Sequence, residues 1–363
     1  MLNRSIVTAL FACVALVLPA SAAAAPGSSG AVVFSRVVVE KTTPDGPEGK
    51  VVEELKGGLF AARNGRLNQL TENPADSQPA FSSDGRLIAF VRAGDVWAMR
   101  ADGSAQHALT SGADVDGRPR FAPSGRYVVL ERRGPAEGAT RDLYTVNIAG
   151  ESLHALTSSP EDEHEATFAP DGRTIAFVRS VAETGGGFAD DVYSIKPSGA
   201  GLARLTRTDR VDEFSPRYFS GGIVFSRGQS GEGPGAYADV YTMRSNGTRV
   251  KPMVRGVGSA FVEDVTPNGR LLLFRRDQGL WVKRLGPGRA HKLTEVADGS
   301  KTNAVFSSDG RKVAAFVATE EAEMLSAIDV ATRRETSLAQ GFGLETGSVA
   351  STIGPVIAWQ PVH

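Results

Sequence analysis

The stretch PAFSSDGRLIAFVR, residues 79–92, decides the fold, because near copies of it recur along the chain. Its copies are PRFAPSGRYVVLER at 119–132, ATFAPDGRTIAFVR at 166–179, PRYFSGGIVFSR at 216–227, EDVTPNGRLLLFRR at 263–276 and NAVFSSDGRKVAAFV at 303–317. One apolar anchor stands early in each copy, at Phe81, Phe121, Phe168, Tyr218, Val265 and Phe306. Successive anchors are 40, 47, 50, 47 and 41 residues apart, a period that indicates a repeat architecture.

Each copy contains a turn between two short strands. Asp84-Gly85-Arg86 places glycine where a hairpin turn needs a positive φ, and we expect the same of Gly172 and Gly310. A strand of the type Asp95–Arg100 and a closing Leu-Thr pair follow in most copies. Four short strands in a unit of this length are typical of a propeller blade. No segment keeps a 3.6-residue apolar period long enough for a helical repeat, which excludes a helical solenoid.

The two ends of the chain together supply one further blade. Six full units begin near residues 76, 116, 163, 212, 259 and 300. The N-terminal part holds three more strands, at 31–36, 57–65 and 67–71, and the tail Val356–Trp359 resembles the missing first strand. We therefore predict an all-β, seven-bladed propeller that is closed by pairing of Val356–Trp359 with Ala31–Arg36, which removes open sheet edges. The alternative is six blades, if the terminal pieces do not pair.

The repeated string resembles that of a known family. Phe-(Ser or Ala)-(Pro or Ser)-Asp-Gly-Arg, an Ile-Ala-Phe strand, an Asp-Val-Tyr strand and a closing Leu-Thr look like the TolB-type β-propeller repeat. The resemblance covers essentially the whole mature chain and implies a WD-repeat-like propeller without the N-terminal α/β domain of TolB. It leaves function open, since such blades serve as periplasmic interaction scaffolds, as gates of prolyl-oligopeptidase-like enzymes and as bodies of polysaccharide lyases.

Residues 1–25 have the pattern of a signal peptide. Arg4 precedes the apolar run Ile6–Leu18, which is too short for a membrane span of about 20 residues, and small residues follow it. Cys13 is the single cysteine and lies inside this segment, so the mature chain has no thiol for catalysis, disulfides or metal binding. We expect residues 26–363 to form one propeller domain that is exported to the periplasm or the extracellular space, monomeric and without a membrane span.

Composition and pattern exclude several functional classes. With 41 acidic and 40 basic residues, the net charge of −1 argues against nucleic-acid binding through a broad basic surface. The nearest approach to a Gly-x-Ser-x-Gly nucleophile elbow, Gly228–Glu232, fails at its fifth position and lies in a Gly-rich hairpin loop. Neither a phosphate-binding Gly-x-x-x-x-Gly-Lys nor a zinc-binding His-Glu-x-x-His occurs.

Acidic side chains recur in the loops before the first strands. Because these loops share one face around the channel of a propeller, we predict a ring that attracts cationic partners. The candidate binding residues are Asp76, Asp116, Glu163, His164 and Glu213. His164 stands among four carboxylates, a donor set that suits a divalent cation. The alternatives are carboxylates that cap turns and, around His164, a solvated acidic loop.

The sequence therefore favours an exported, non-catalytic propeller that binds a protein or cell-envelope component through this loop face and needs no cofactor. The alternative is a metal-dependent enzyme, similar to a polysaccharide lyase or a hydrolase. It would act at the channel mouth through His164, neighbouring carboxylates and a divalent cation.

Overall fold

The computed structural model describes residues 30–42, 52–63, 65–182, 187–208, 211–228, 237–256, 258–266, 268–295, 304–318, 323–342 and 357–361. In these ranges 28 strands form seven four-stranded antiparallel sheets. None of the described ranges contains a helix long and apolar enough to cross a membrane. The predicted signal peptide, residues 1–25, lies outside them.

The sheets are the seven blades of a propeller. Blade one has the order β28 (Ile357–Trp359), β1 (Val32–Thr42), β2 (Val52–Arg63), β3 (Arg66–Gln69). Blade two contains β4 (Asp76–Phe81), β5 (Leu87–Arg92), β6 (Asp95–Arg100) and β7 (His107–Ala108). Blade three contains β8 (Val115–Phe121), β9 (Tyr127–Arg133), β10 (Arg141–Asn147) and β11 (His154–Ala155). Blade four contains β12 (Glu163–Phe168), β13 (Ile175–Ala182), β14 (Phe188–Ile195) and β15 (Ala203–Arg204).

The remaining blades repeat the same order of strands. Blade five contains β16 (Asp212–Phe219), β17 (Gly222–Gly228), β18 (Ala238–Met243) and β19 (Lys251–Val254). Blade six contains β20 (Ala260–Val265), β21 (Leu271–Arg276), β22 (Gly279–Arg284) and β23 (His291–Glu295). Blade seven contains β24 (Val305–Phe306), β25 (Lys312–Ala318), β26 (Glu323–Asp329) and β27 (Glu335–Phe342).

The chain ends close the ring as predicted. Val32 pairs with Trp359 and Phe34 with Ile357, so the C-terminal strand completes the blade that the N-terminal strands begin. The amide of Gln360 also donates to the carbonyl of Ala31 at 2.8 Å. The prediction of seven blades is confirmed, and the six-blade alternative is wrong because the terminal strands pair. Val356, the first residue of the predicted closing strand, lies outside the described residues.

The core lies between neighbouring blades. In the described part of the chain, seven clusters of buried apolar side chains each join two adjacent blades. One of them packs Phe34 of blade one against Phe316 and Leu325 of blade seven, which completes the circle. The middle strands are buried on both faces because both neighbouring sheets cover them, and this explains continuous apolar runs such as Ile88–Phe90.

The repeated glycines lie in the predicted turns between first and second strands. Gly85, Gly172 and Gly310 have φ angles of 68°, 69° and 68°, which confirms the prediction. In the first of these turns the amide of Gly85 donates to the carbonyl of Ser82 at 2.9 Å. The Asp84 carboxylate accepts from the Ser82 hydroxyl at 2.6 Å and from the Arg86 amide at 3.1 Å. The carboxylate therefore holds the turn closed.

The threonine of the closing Leu-Thr pair caps the third strand of its blade. Thr110 accepts a hydrogen bond from the amide of Val96 on the third strand at 2.9 Å, through its buried hydroxyl. The same bond recurs from Leu59 to Thr71, from Leu143 to Thr157 and from Val192 to Thr206. The threonine hydroxyl therefore satisfies a backbone donor where the short fourth strand ends.

Candidate binding site at the mouth of the central channel

The two faces of the ring carry different connections. Asp76 lies opposite Arg92 in the sheet, and Arg92 lies opposite Asp95. The segments that lead into first strands and the hairpins between second and third strands therefore share one face, which we call the loop face. The opposite face carries the turns of Gly85, Gly172 and Gly310, and we call it the turn face.

Four of the predicted binding residues are buried carboxylates paired with arginine. Asp76 is 1% exposed and accepts from Nε and Nη2 of Arg92 at 2.6 and 2.7 Å. Asp116 accepts from the same two atoms of Arg132 at 2.7 and 2.8 Å. Each guanidinium also stacks over an aromatic ring of the third strand, Arg92 at 4.6 Å from the Trp97 centroid. Carboxylate, guanidinium and ring thus form one unit within a blade.

Blades four and five repeat this unit with glutamate. Glu163 pairs with Arg179 and accepts from the Ser159 hydroxyl at 3.0 Å. Glu213 accepts from Nε of Arg227 at 2.8 Å and from the hydroxyl of Thr208 at 2.6 Å. Burial raises the pKa of Glu213 to about 7, although Thr208 and Arg227 act in the opposite direction. Burial likewise raises the pKa of Glu163.

The structure therefore does not bring these four carboxylates together. They occupy equivalent positions in four blades, and each faces its own arginine on the second strand. That geometry gives each of them a structural role within its blade. Their use in binding a partner stays a prediction.

His164 lies on β12, the innermost strand of blade four, and among the described residues one acidic side chain is within ion-pair distance of it. Its Nε2 is 3.7 Å from Oδ2 of Asp190, and its side chain is largely buried. The carboxylate of Asp190 also accepts from the hydroxyl of Ser180 at 2.5 Å. Among the described residues, no three histidine, aspartate or glutamate side chains are grouped so that they could hold a metal ion. A divalent cation at His164 stays a prediction.

The innermost strand of several blades has a β-bulge near the loop face. Four non-glycine residues at equivalent bulge positions have positive φ: Gln78 at 52°, Arg118 at 47°, Glu165 at 57° and Ser215 at 53°. Glycine normally takes this conformation, since a side chain strains it. Each bulge residue stands two positions after one of the buried carboxylates, and this spacing is the sequence signal that could have revealed it.

Side chains at and beside the bulges connect one blade to the next. The amide of Arg118 donates to Oε1 of Gln78 at 2.6 Å, and the amide of Ser215 donates to Oε2 of Glu165. The amide of Glu165 donates to Oε1 of Glu131 on β9 at 2.6 Å. The bulges therefore aim backbone donors at the preceding blade along this part of the ring.

A network of charges fills the channel mouth beside these bulges. The half-exposed guanidinium of Arg118 lies 3.5 Å from Glu165 and 3.8 Å from Glu131. Arg141 binds Glu131 at 3.2 Å and pairs closely with Asp162. Burial acts to raise the pKa of Glu165. The combined effect of His164, the Ser215 amide and Arg118 outweighs burial and lowers that pKa.

Two cavities open on the loop face. The first has a volume of about 520 Å³ and is lined by Gln78, Arg118, Glu131, Arg141 and Asp162, among others. The second, of about 390 Å³, lies between blades five and six beside Tyr237, Asp239 and Arg255. Both are walled mainly by polar and charged groups, so the loop face offers concave sites with fixed hydrogen-bond donors and acceptors.

The fold and the charged groups at the channel mouth define the class of protein: it is a seven-bladed β-propeller with a charged channel mouth. Three solved structures are similar to it. An oligogalacturonate lyase from Vibrio parahaemolyticus is 13% identical with a TM-score of 0.61, over 84% of this chain and 99% of that chain. The β-propeller domain of the Trilobed protease from Pyrococcus furiosus is 12% identical with a TM-score of 0.58, over 87% of this chain and 97% of that domain. TolB from Acinetobacter baumannii is 14% identical with a TM-score of 0.52, over 90% of this chain and 82% of that chain.

These comparisons show the fold alone, because one propeller fold hosts many functions. The resemblance to a TolB-type propeller is confirmed at that level. No protein-family model and no curated protein matches the sequence.

Proposed function

We propose that this chain is an exported, non-catalytic propeller that binds a protein or cell-envelope partner through its loop face. The observation that carries the proposal is the position of both cavities on that face, at the channel mouth and between blades five and six. Recognition residues are commonly placed on varied loops that a rigid scaffold holds.

The hairpins on the loop face differ in length, which supports this assignment. Strands β1 and β2 have 11 and 12 residues, and β13 and β14 have 8 each, whereas β5 and β6 have 6 each. The longer hairpins stand above the shorter ones and make this face uneven. The turn face repeats one glycine turn, with φ between 63° and 70° at Gly85, Gly125, Gly172, Gly269 and Gly310.

Two exposed aromatic side chains on the loop face suit contact with a protein. Phe188 begins β14 and is 72% exposed, and Tyr237 directly precedes β18 and is 50% exposed. Aromatic side chains provide much of the contact energy in protein interfaces. The acidic groups at the channel mouth already accept backbone or arginine hydrogen bonds, as Glu131 and Glu165 do, and such fixed groups suit recognition.

The test is capture of a partner from cell-envelope extract with the purified protein. Phe188→Ser combined with Tyr237→Ser should reduce the captured amount at least fivefold. The matched control is Leu153→Ser with Leu202→Ser, which removes two apolar side chains, 39% and 47% exposed, from the turn face. Equal capture by the loop-face variant and the wild type, or greater loss in the control, would overturn the proposal.

Export rests on the pattern of residues 1–25 and is tested separately. Fractionation of cells that produce the full chain should place a shortened protein outside the cytoplasm. Recovery of the uncleaved chain in the cytoplasmic fraction contradicts export. A stoichiometric divalent ion in the purified protein would instead favour the metal-dependent alternative.

A further inference from the structure

Arg120 projects into the central channel from the innermost strand of blade three. It follows the Arg118 bulge by two residues on β8, and its side chain is exposed. Its electrostatic neighbours include Arg217 on β16 and Asp264 on β20. Those strands belong to blades five and six, across the ring from blade three, so the guanidinium lies within the channel.

The nearby carboxylates are engaged elsewhere. Asp264 accepts from the amides of Phe306 and Val265, both at 2.8 Å. Glu131 accepts from the Glu165 amide and from Arg141. Within the described ranges, no hydrogen bond and no ion pair within 4.0 Å reaches the guanidinium of Arg120. Its five N–H donors are therefore free to bind a ligand.

Positive charge is crowded at this point. Desolvation by the channel walls lowers the pKa of Arg120 to about 10, and the charges of Arg217 and Arg118 act in the same direction. Asp264 and Glu131 oppose this shift without cancelling it. Arg217 donates through Nη1 to the carbonyl of its neighbour Pro216 at 2.9 Å, and its other side-chain donors make no hydrogen bond to the residues that the structure describes. An anion placed among the three guanidinium groups would relieve their mutual repulsion.

We propose that Arg120, assisted by Arg118 and Arg217, binds the carboxylate group of a small organic acid inside the central channel. A planar guanidinium matches a carboxylate with two parallel hydrogen bonds. A single negative charge fits better than a phosphate dianion, because Glu131, Glu165 and Asp264 surround the site and repel additional charge. The site lies below the loop face, so a small ligand in the channel and a partner on that face are compatible.

The test is a titration of protein labelled with ¹⁵N-arginine, using glucuronate, acetate and inorganic phosphate as separate probes. Spectra of Arg120→Gln identify the Arg120 signal. Both carboxylates should shift this signal along a saturable curve, and phosphate should bind more weakly. In the variants, binding is followed through the other arginine signals that shift in the wild type. Arg120→Gln should weaken carboxylate binding roughly tenfold or more, because a charge-assisted hydrogen bond is lost, and Arg120→Lys should restore part of the affinity.

The matched control is Arg100→Gln, which removes an exposed arginine from β6 in another blade. It should bind as the wild type does. Arg120→Gln should unfold at the wild-type temperature or above, because the Arg120 guanidinium makes no hydrogen bond to the described residues. A loss of binding will therefore not reflect misfolding. An unmoved Arg120 signal, equal loss in the control, or stronger binding of phosphate than of carboxylate would overturn the proposal. None of these results bears on partner capture at the loop face.

Discussion

The backbone amide of Arg118 donates a hydrogen bond of 2.6 Å to Oε1 of Gln78, which lies 40 residues earlier on the innermost strand of the preceding blade. Both residues have positive φ, at 47° and 52°, so two strained bulges are joined directly. Strain of this kind persists where surrounding contacts fix the conformation, and it is often found at functional sites. The bond therefore links the geometry of the channel mouth to the packing of blades two and three.

Replacing Gln78 should show what this link contributes. Gln78→Ala removes the acceptor and should lower the free energy of unfolding by about 1 kcal/mol. The loss stays small because the exposed amide of Arg118 can donate to water instead. Gln78→Glu keeps an acceptor at the same atom and should remain close to the wild type. Urea denaturation measures both. Equal stability of Gln78→Ala and the wild type would show that the bond contributes nothing.

The buried ion pair of blade three should contribute far more than an exposed pair. Asp116→Asn removes the buried counter-ion of Arg132 and leaves it only the more exposed Asp114 at 3.4 Å, so it should cost about 3 kcal/mol of unfolding free energy. The control is Arg86→Gln, which removes an exposed pair with Asp84 at 3.9 Å and should cost less than about 1 kcal/mol. Denaturant unfolding of the two variants distinguishes them. Similar losses would contradict a structural role for Asp116.

Two turn glycines with the same φ should respond differently to alanine. At Gly172 the nearest atom to an added Cβ is Cδ of Pro123 at 3.5 Å, so Gly172→Ala should cost only backbone strain of about 1 kcal/mol. At Gly85 the Cβ would lie 2.4 Å from the carbonyl oxygen of Pro361, in the segment after the closing strand. Gly85→Ala should therefore lower the melting temperature more than Gly172→Ala. Equal shifts would mean that the closing segment moves away without cost.

Glu213 should make stability depend on pH near neutrality. Burial raises its pKa from the ordinary 4.5 to about 7, so the folded state favours the protonated form. The contribution of Glu213 to the free energy of unfolding is complete below about pH 4.5 and is lost as the pH rises through about 7. Between pH 5 and pH 8 the wild type should therefore lose stability relative to Glu213→Gln.

Melting temperatures at the two pH values measure this change. The control is Glu137→Gln, which alters an exposed glutamate on the same face. Its difference from the wild type should stay constant with pH. A constant difference for Glu213→Gln as well would show that Glu213 is ionised throughout this range.

The arrangement of strands could be predicted from the sequence because its signals are local. Glycine in each Asp-Gly-Arg turn, apolar runs such as Ile88–Phe90 and the repeat spacing all lie within short segments, and backbone sterics and burial translate them directly into hairpins and blades. Closure by Ile357–Trp359 was also predictable, since the tail carries the one strand that the N-terminal blade lacks.

The tertiary structure alone decided what the acidic residues do. In the sequence, Asp76 and Asp116 look like solvated loop carboxylates, and only the folded blade places each against an arginine 16 residues further on. In the same way, nothing near Arg120 in the sequence shows that it meets Arg217 and Asp264 across the channel. The physical reason is that a charged side chain takes its role from its surroundings, because burial and opposite charge determine its energy, and in this ring those surroundings come from distant parts of the chain.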